Sequence, residues 1–118
     1  MTEENLQQLW KSYQDAWADI PADERELLLR ASVAEEVVFT SPNANGRGFS
    51  DLVMHIADFQ RQFPGAYFRS NRLIEQNDQL LSEWTMFNRD GTAFLTAHSY
   101  AQFNAAGRLT HLAGFWKL

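Results

Sequence analysis

The chain has 118 residues, 45% of them hydrophobic and 21% charged, with a net charge of −5 and no cysteine. That is enough for one domain over residues 1–118, ordinary in composition, with no apolar run near the roughly 20 residues of a spanning helix. Ten scattered basic residues on an acidic chain argue against a nucleic-acid partner, and the absence of cysteine excludes disulfides, a thiolate nucleophile and a Cys-based metal site.

The N-terminal stretch Met1-Thr2-Glu3-Glu4-Asn5 is acidic and polar, the opposite of a signal peptide, so the expected compartment is the cytoplasm. Leu6, Leu9, Trp10, Tyr13, Trp17 and Ile20 then recur at helical spacing as one apolar stripe, and Pro21 is expected to end that helix. Asp23 followed by Glu26 resembles a capping box opening a short helix through Leu27-Leu28-Leu29. Val37-Val38-Phe39-Thr40 reads as a short strand stopped by Ser41-Pro42. Asn43 to Gly48 carries turn residues at nearly every position and reads as a mobile loop able to gate a pocket. A third helix places Phe49, Leu52, Val53, Ile56, Phe59 and Phe63 on one face, and Pro64-Gly65 terminates it. From Tyr67 to Leu118 the chain is an antiparallel meander punctuated at Asn77-Asp78, Asn88 to Gly91 and Asn104 to Gly107. Helices first and strands last is an α+β order, with helices on one face of a single curved sheet.

Alternation along the strands divides the side chains between two faces. Leu80, Trp84 and Met86 point one way, as do Leu95, Ala97, Ser99, Ala101 and Phe103. In the last strand Leu112, Gly114, Trp116 and Leu118 share a face, with Leu109, His111, Ala113 and Phe115 opposite. Small Ala97, Ser99 and Ala101 facing Trp84 and Trp116 are expected to leave room for a pocket. Phe94, Tyr100 and Phe115 on the outer face are more apolar surface than a monomer exposes, which predicts a homodimer through that face.

The helix order, the strand ending Phe39-Thr40-Ser41-Pro42, the helix ending Phe63-Pro64-Gly65, and Phe103 to Leu109 with Gly114-Phe115-Trp116 in the meander together carry a resemblance. The chain resembles the nuclear-transport-factor-two-like superfamily, in particular its SnoaL-like polyketide cyclase branch, along essentially its whole length. The resemblance implies a cone-shaped, cystatin-like α+β barrel whose curved, mostly antiparallel sheet wraps the helices, with a pocket at the open end. It also implies dimers through the outer sheet face. Ketosteroid isomerases of that superfamily use a first-helix tyrosine as oxyanion donor, and Tyr13 occupies the matching place. Their two aspartates fall at Ser41 and Ser99. A serine hydroxyl is no base near neutral pH unless another group activates it. The acidic residue that cyclases of the branch carry near the end of the last strand has no counterpart in Gly114 to Leu118.

The candidates are therefore Tyr13 as donor and His55, on the flank of the third helix's apolar face, as the group that moves a proton. The bland readings stand beside them: a buried phenol satisfied by backbone, and a helix-flank histidine in water. Trp17, Phe39, Ser41, Phe59, Phe63, Trp84, Met86, Ser99 and Trp116 are the candidate ligand contacts, several of which could equally be plain core. His98 and His111 fall on the outer face, so the three histidines form no metal set and no cofactor is called for. Two functions stay open: a cofactor-free isomerase, dehydratase or cyclase acting on a hydrophobic ketone, and a non-catalytic binder of a small apolar molecule. An interaction module using the outer sheet stands behind them.

Overall fold

The computed structural model describes residues 2–117. Three helices, α1 (Glu3–Asp15), α2 (Ala22–Ser32) and α3 (Phe49–Gln62), are interleaved with six strands: β1 (Val33–Ser41), β2 (Ala44–Arg47), β3 (Tyr67–Gln76), β4 (Gln79–Phe87), β5 (Ala93–Phe103) and β6 (Leu109–Phe115). The strands form one sheet in the order β2-β1-β6-β5-β4-β3. All neighbours are antiparallel except β1 and β6, which run parallel. The cone-like α+β arrangement is as expected, with the sheet curled but not closed, since β2 and β3 are its two free edges. No helix among the described residues is long and apolar enough to cross a membrane.

Local chemistry explains most boundaries. The Thr2 hydroxyl accepts from the Asn5 N–H and caps α1, with Glu3 and Glu4 in the positive first turn. Asn77 and Asp78 both adopt positive φ, as a two-residue hairpin between β3 and β4 requires. The other two meander turns also lie where the sequence places them.

Several expectations need correction. Helix α1 ends at Asp15, a turn and more before Pro21, so Trp17 and Ile20 lie outside it, and Pro21 instead occupies the N-cap of α2. The reason is Arg25: its guanidinium, buried to 8% exposure, donates to the carbonyls of Ala16 and Ala18 and draws the chain out of the helix. The capping box does not form, because the Asp23 carboxylate accepts from the adjacent Glu24 N–H. Residues 43–48 are no loose loop: Ala44–Arg47 pair with β1, Phe39 facing Gly46 and Ser41 facing Ala44.

The parallel pair β1–β6 shifts register between Val33 and Val38, and a β-bulge resets strand parity in each of three antiparallel pairs. Thr110 is an extra residue against β5, so Leu109 returns to the core face and is fully buried, contrary to simple alternation. Phe94 is extra against β4 and leaves the outer face; its ring lies 5.6 Å from that of Phe63. Asn71 bulges on the edge strand β3 and donates to Thr85. The placement of Leu118 with Trp116 falls outside the described residues.

The core has two parts. One gathers Leu6, Leu9, Trp10, Leu29, Leu52, Ile56, Leu80, Ala101 and Leu109; the other gathers Ala66, Trp84, Met86 and Ala97 with Phe59, Phe63, Phe68 and Trp116. Replacing Arg25 by Met keeps the bulk but removes the guanidinium's bonds to the carbonyls of Ala16, Ala18 and Ile20. Arg25→Met is expected to cost about 2–4 kcal/mol, read as a lower urea midpoint at unchanged slope, because charge-assisted bonds to buried acceptors are lost.

Candidate active site

The two parts of the core face each other across a cavity of about 550 Å³. All eleven candidate residues border it: Tyr13, Trp17, Phe39, Ser41, His55, Phe59, Phe63, Trp84, Met86, Ser99 and Trp116. Its walls come from α1, the 16–20 segment, α3, and the inner faces of β1 and β3 to β6.

Aromatic rings set the shape. Trp17 is the hub, edge-on to His55 (5.4 Å, 86°), Phe59 (5.4 Å, 74°) and Phe68 (5.9 Å, 80°), and 6.3 Å from Tyr13. Phe68 meets Trp84 edge-on at 5.1 Å, and Trp84 meets Trp116 at 6.1 Å. Such tilted contacts satisfy the ring quadrupoles and hold each ring against its neighbours. Trp17 sits where it does because Gln60, on α3, donates to its carbonyl at 2.7 Å and to that of Ala66 at 2.9 Å.

The sheet side is opened by two small residues, Ser99 and Gly114, paired across β5 and β6. Ser99 accepts a 2.9 Å hydrogen bond from the Trp84 indole N–H, which pins that ring to the wall. Trp116 folds back over Gly114 so closely that a Cβ there would come within 2.7 Å of the indole. The other two small residues expected to open the middle do not: Ala101 is packed in the main core, and Ala97 lies directly opposite Trp84, whose ring covers it. Ser41 spends its hydroxyl in the hairpin turn, donating to the Asn43 side-chain oxygen and to the Ala44 carbonyl.

The two candidate chemical groups have opposite environments. Burial pushes the Tyr13 phenol far above its ordinary value, with the neighbouring Trp17 side chain acting weakly the other way, so Tyr13 stays a neutral donor. His55 is half-buried, its ring stacked on Phe39 at 5.3 Å and 20°. Burial lowers its pKa below 6.5, and the Asp58 carboxylate one turn on opposes this. His55 is thus a neutral base near pH 7. Asp58 itself lies at the exposed rim, paired with Arg61. His98 and His111 stay outside: His98 faces Glu83 at 3.9 Å, and His111 meets the Thr110 hydroxyl. Among the described residues no cluster of His, Asp or Glu could hold a metal ion.

Sequence reasoning missed Trp10, Gln14, Phe68 and Phe94, which also border the cavity. Neither Phe68 nor Phe94 follows from simple alternation: the Asn71 bulge brings Phe68 opposite Met86 on the inner face, and Phe94 is itself the extra residue of a bulge.

By sequence, no family model and no curated protein matches the chain. Its structure matches closely. A proposed isomerase of the SnoaL-like family from Agrobacterium tumefaciens superposes with a TM-score of 0.89 at 20% identity, covering 98% of this chain and 99% of the other. The fold is the SnoaL-like, nuclear-transport-factor-two-like fold. A proposed polyketide cyclase from Sinorhizobium meliloti gives 0.73 at 15% identity, over 91% and 93% of the two chains. A protein with a cystatin-like fold from Methylobium petroleophilum gives 0.79 at 15%, over 100% and 79%. At these identities the likeness establishes the SnoaL-like fold and leaves the chemistry to the residues of the site.

The depressed pKa of His55 makes a stability prediction. A histidine held below its unfolded value contributes fully above pH 6.5, and that contribution is lost as pH falls through the folded pKa. Urea unfolding from pH 7.5 to 5 should therefore show declining stability, and His55→Gln should make the decline shallower. Identical slopes in both proteins would mean that His55 titrates as it does in water.

Proposed function

We propose that the cavity binds a small, neutral, largely apolar carbonyl compound, and that Tyr13 and His55 transfer a proton on it without a cofactor. The observation that carries this reading is that both groups border one aromatic cavity while burial keeps both uncharged: one as a donor, the other as a base. Opposed environments of that kind are how acid and base roles are divided between titratable groups. His55 would take a proton from the carbon next to the carbonyl through an imidazole nitrogen. The electron pair moves to the carbonyl oxygen, which Tyr13 stabilises through its O–H. The imidazolium then returns the proton to the same or a conjugated carbon. The proposed names of the isomerase and polyketide cyclase neighbours point the same way. A cytoplasmic location goes with this reading.

2-Tetralone, a neutral bicyclic ketone, tests it. Binding should quench tryptophan fluorescence, and NMR in D₂O should show deuterium entering beside the carbonyl faster than in buffer. Ser99→Trp should abolish binding, at a stability cost of roughly 1–3 kcal/mol from overpacking. Tyr13→Phe should bind yet slow exchange by about 10²- to 10³-fold, the usual effect of losing an oxyanion donor. Equal binding by wild type and Ser99→Trp would remove the cavity from the account. Binding without exchange would leave the non-catalytic binder.

We also propose a homodimer through the outer sheet face. The bulge at Phe94 moves the apolar cluster rather than abolishing it. Ile74, Leu81, Tyr100 and Ala113 are directly paired across β3, β4, β5 and β6, and Phe115, 61% exposed, lies in the next row. That row is flanked on the same face by Arg72 and Glu83, so a twofold copy can set one sign of charge against the other. Sedimentation should give a dimer at micromolar concentration and a monomer for Leu81→Glu with Phe115→Glu. A monomeric wild type sinks the dimer.

A further inference from the structure

We infer that Gly46 is a positioning residue for His55, acting through the ring of Phe39. The inference rests on His55 being the site's proton-handling group and concerns what holds its imidazole in place.

The contacts run in series. Register places Phe39 on β1 directly opposite Gly46 on β2. The tip of the Phe39 ring lies on the glycine, so that a Cβ at position 46 would stand 2.3 Å from Phe39 Cζ and 2.8 Å from Cε1. The face of the same ring is stacked on His55 at 5.3 Å. On its other flank His55 meets Trp17 edge-on. Trp17 is tied down by Gln60 from α3, the helix that carries His55. The Phe39 side has no polar tie; its limit is set by the bare backbone of Gly46.

This explains a feature that turn chemistry leaves open. Gly46 does not lie in the left-handed region that favours glycine, so its backbone would accept alanine without strain. What forbids a side chain is the ring beneath it. A phenylalanine ring has no flexible end to swing aside, so an added methyl must push the ring along, and the ring abuts the imidazole. The effect of a Gly46 substitution is therefore expected at His55, on another element. The titratable or charged groups that border the same cavity, Tyr13 on α1, Asp58 on α3 and Lys117 after β6, are left unaltered by the substitution.

The test is a double-mutant cycle read by NMR titration of the His55 ring. Gly46→Ala and Phe39→Leu should each raise its pKa toward 6.5 as the imidazole loses its cover. The double variant should match Phe39→Leu alone, since no ring tip remains for the new methyl to displace. In the same variants, deuterium exchange of 2-tetralone should fall about tenfold to a hundredfold for Gly46→Ala, as small misplacements of a reacting group do. An unchanged His55 pKa in folded Gly46→Ala overturns the inference, and so does additivity of the two substitutions. If Gly46→Ala does not fold, recovery of folding in the double variant supports the steric link through the ring; failure of both overturns it. If wild type neither binds nor exchanges 2-tetralone while the pKa values shift as stated, the proposed reaction falls and the positioning role stands.

Discussion

A buried guanidinium with no carboxylate paired to it among the described residues would be expected to destabilise the protein, yet Arg25 fixes the segment that carries the hub of the site. Its charge lies at the C-terminal end of α1, where the helix dipole is negative, and it bonds the carbonyls of Ala16, the C-cap residue, and of Ala18 just beyond it. Without that cation, α1 would have no reason to stop short of Pro21, and Trp17 would continue along the helical stripe. With it, residues 16–20 become a fixed non-helical segment, and Gln60 clamps the Trp17 carbonyl from the other side. The hub of the aromatic cluster is thereby positioned by polar contacts around it, and His55, Phe59 and Phe68 take their places against its ring.

The rest of the cavity follows from where small residues are allowed. Most of the inner sheet face is filled, with Leu80, Ala101 and Leu112 joining the main core and Trp84, Met86 and Ala97 the second. Only the row through Ser99 and Gly114 is both small and unfilled, and two tryptophans are arranged about it, one bonded to Ser99 and one laid on Gly114. The result is a pocket walled by aromatic rings, in which burial favours the uncharged forms of Tyr13 and His55. The neutral carbonyl compound we propose for it carries no charge whose burial would have to be compensated.

Much of this was legible in the sequence for local reasons. Periodicity located the helices, and Asn77-Asp78, Asn88 to Gly91 and Asn104 to Gly107 marked the turns, because turn chemistry acts over a few neighbouring residues. Alternation brought Trp84, Met86 and Ser99 to the cavity. What was hidden depends on contacts far apart in the chain. A bulge changes register without any signature in the alternation, so Phe94 and Leu109 were assigned to the wrong face. The early end of α1 was masked because its cause lies ten residues downstream. Asn43 to Gly48 looked like a loop because its residues are turn formers, yet they pair with a strand edge that would otherwise stay unsatisfied, and the glycine among them is required by an aromatic ring.

The division of the interior into two clusters bears on how such a protein can change over evolutionary time. Leu29, Leu52, Ile56 and Leu109, fully buried in the main cluster, hold the helices to the sheet without bordering the cavity, Leu52 excepted. Position 99 sits on the cavity side of this division, and its serine does no more for the fold than accept one indole N–H. Substitutions there alter the shape and polarity of the pocket while leaving the main cluster intact, whereas a side chain at Gly114 would have to displace the Trp116 ring. A lineage can therefore sample new ligands, or gain and lose a reactive group, at little risk to folding. A scaffold partitioned in this way leaves the pocket free to vary apart from the elements that hold the fold.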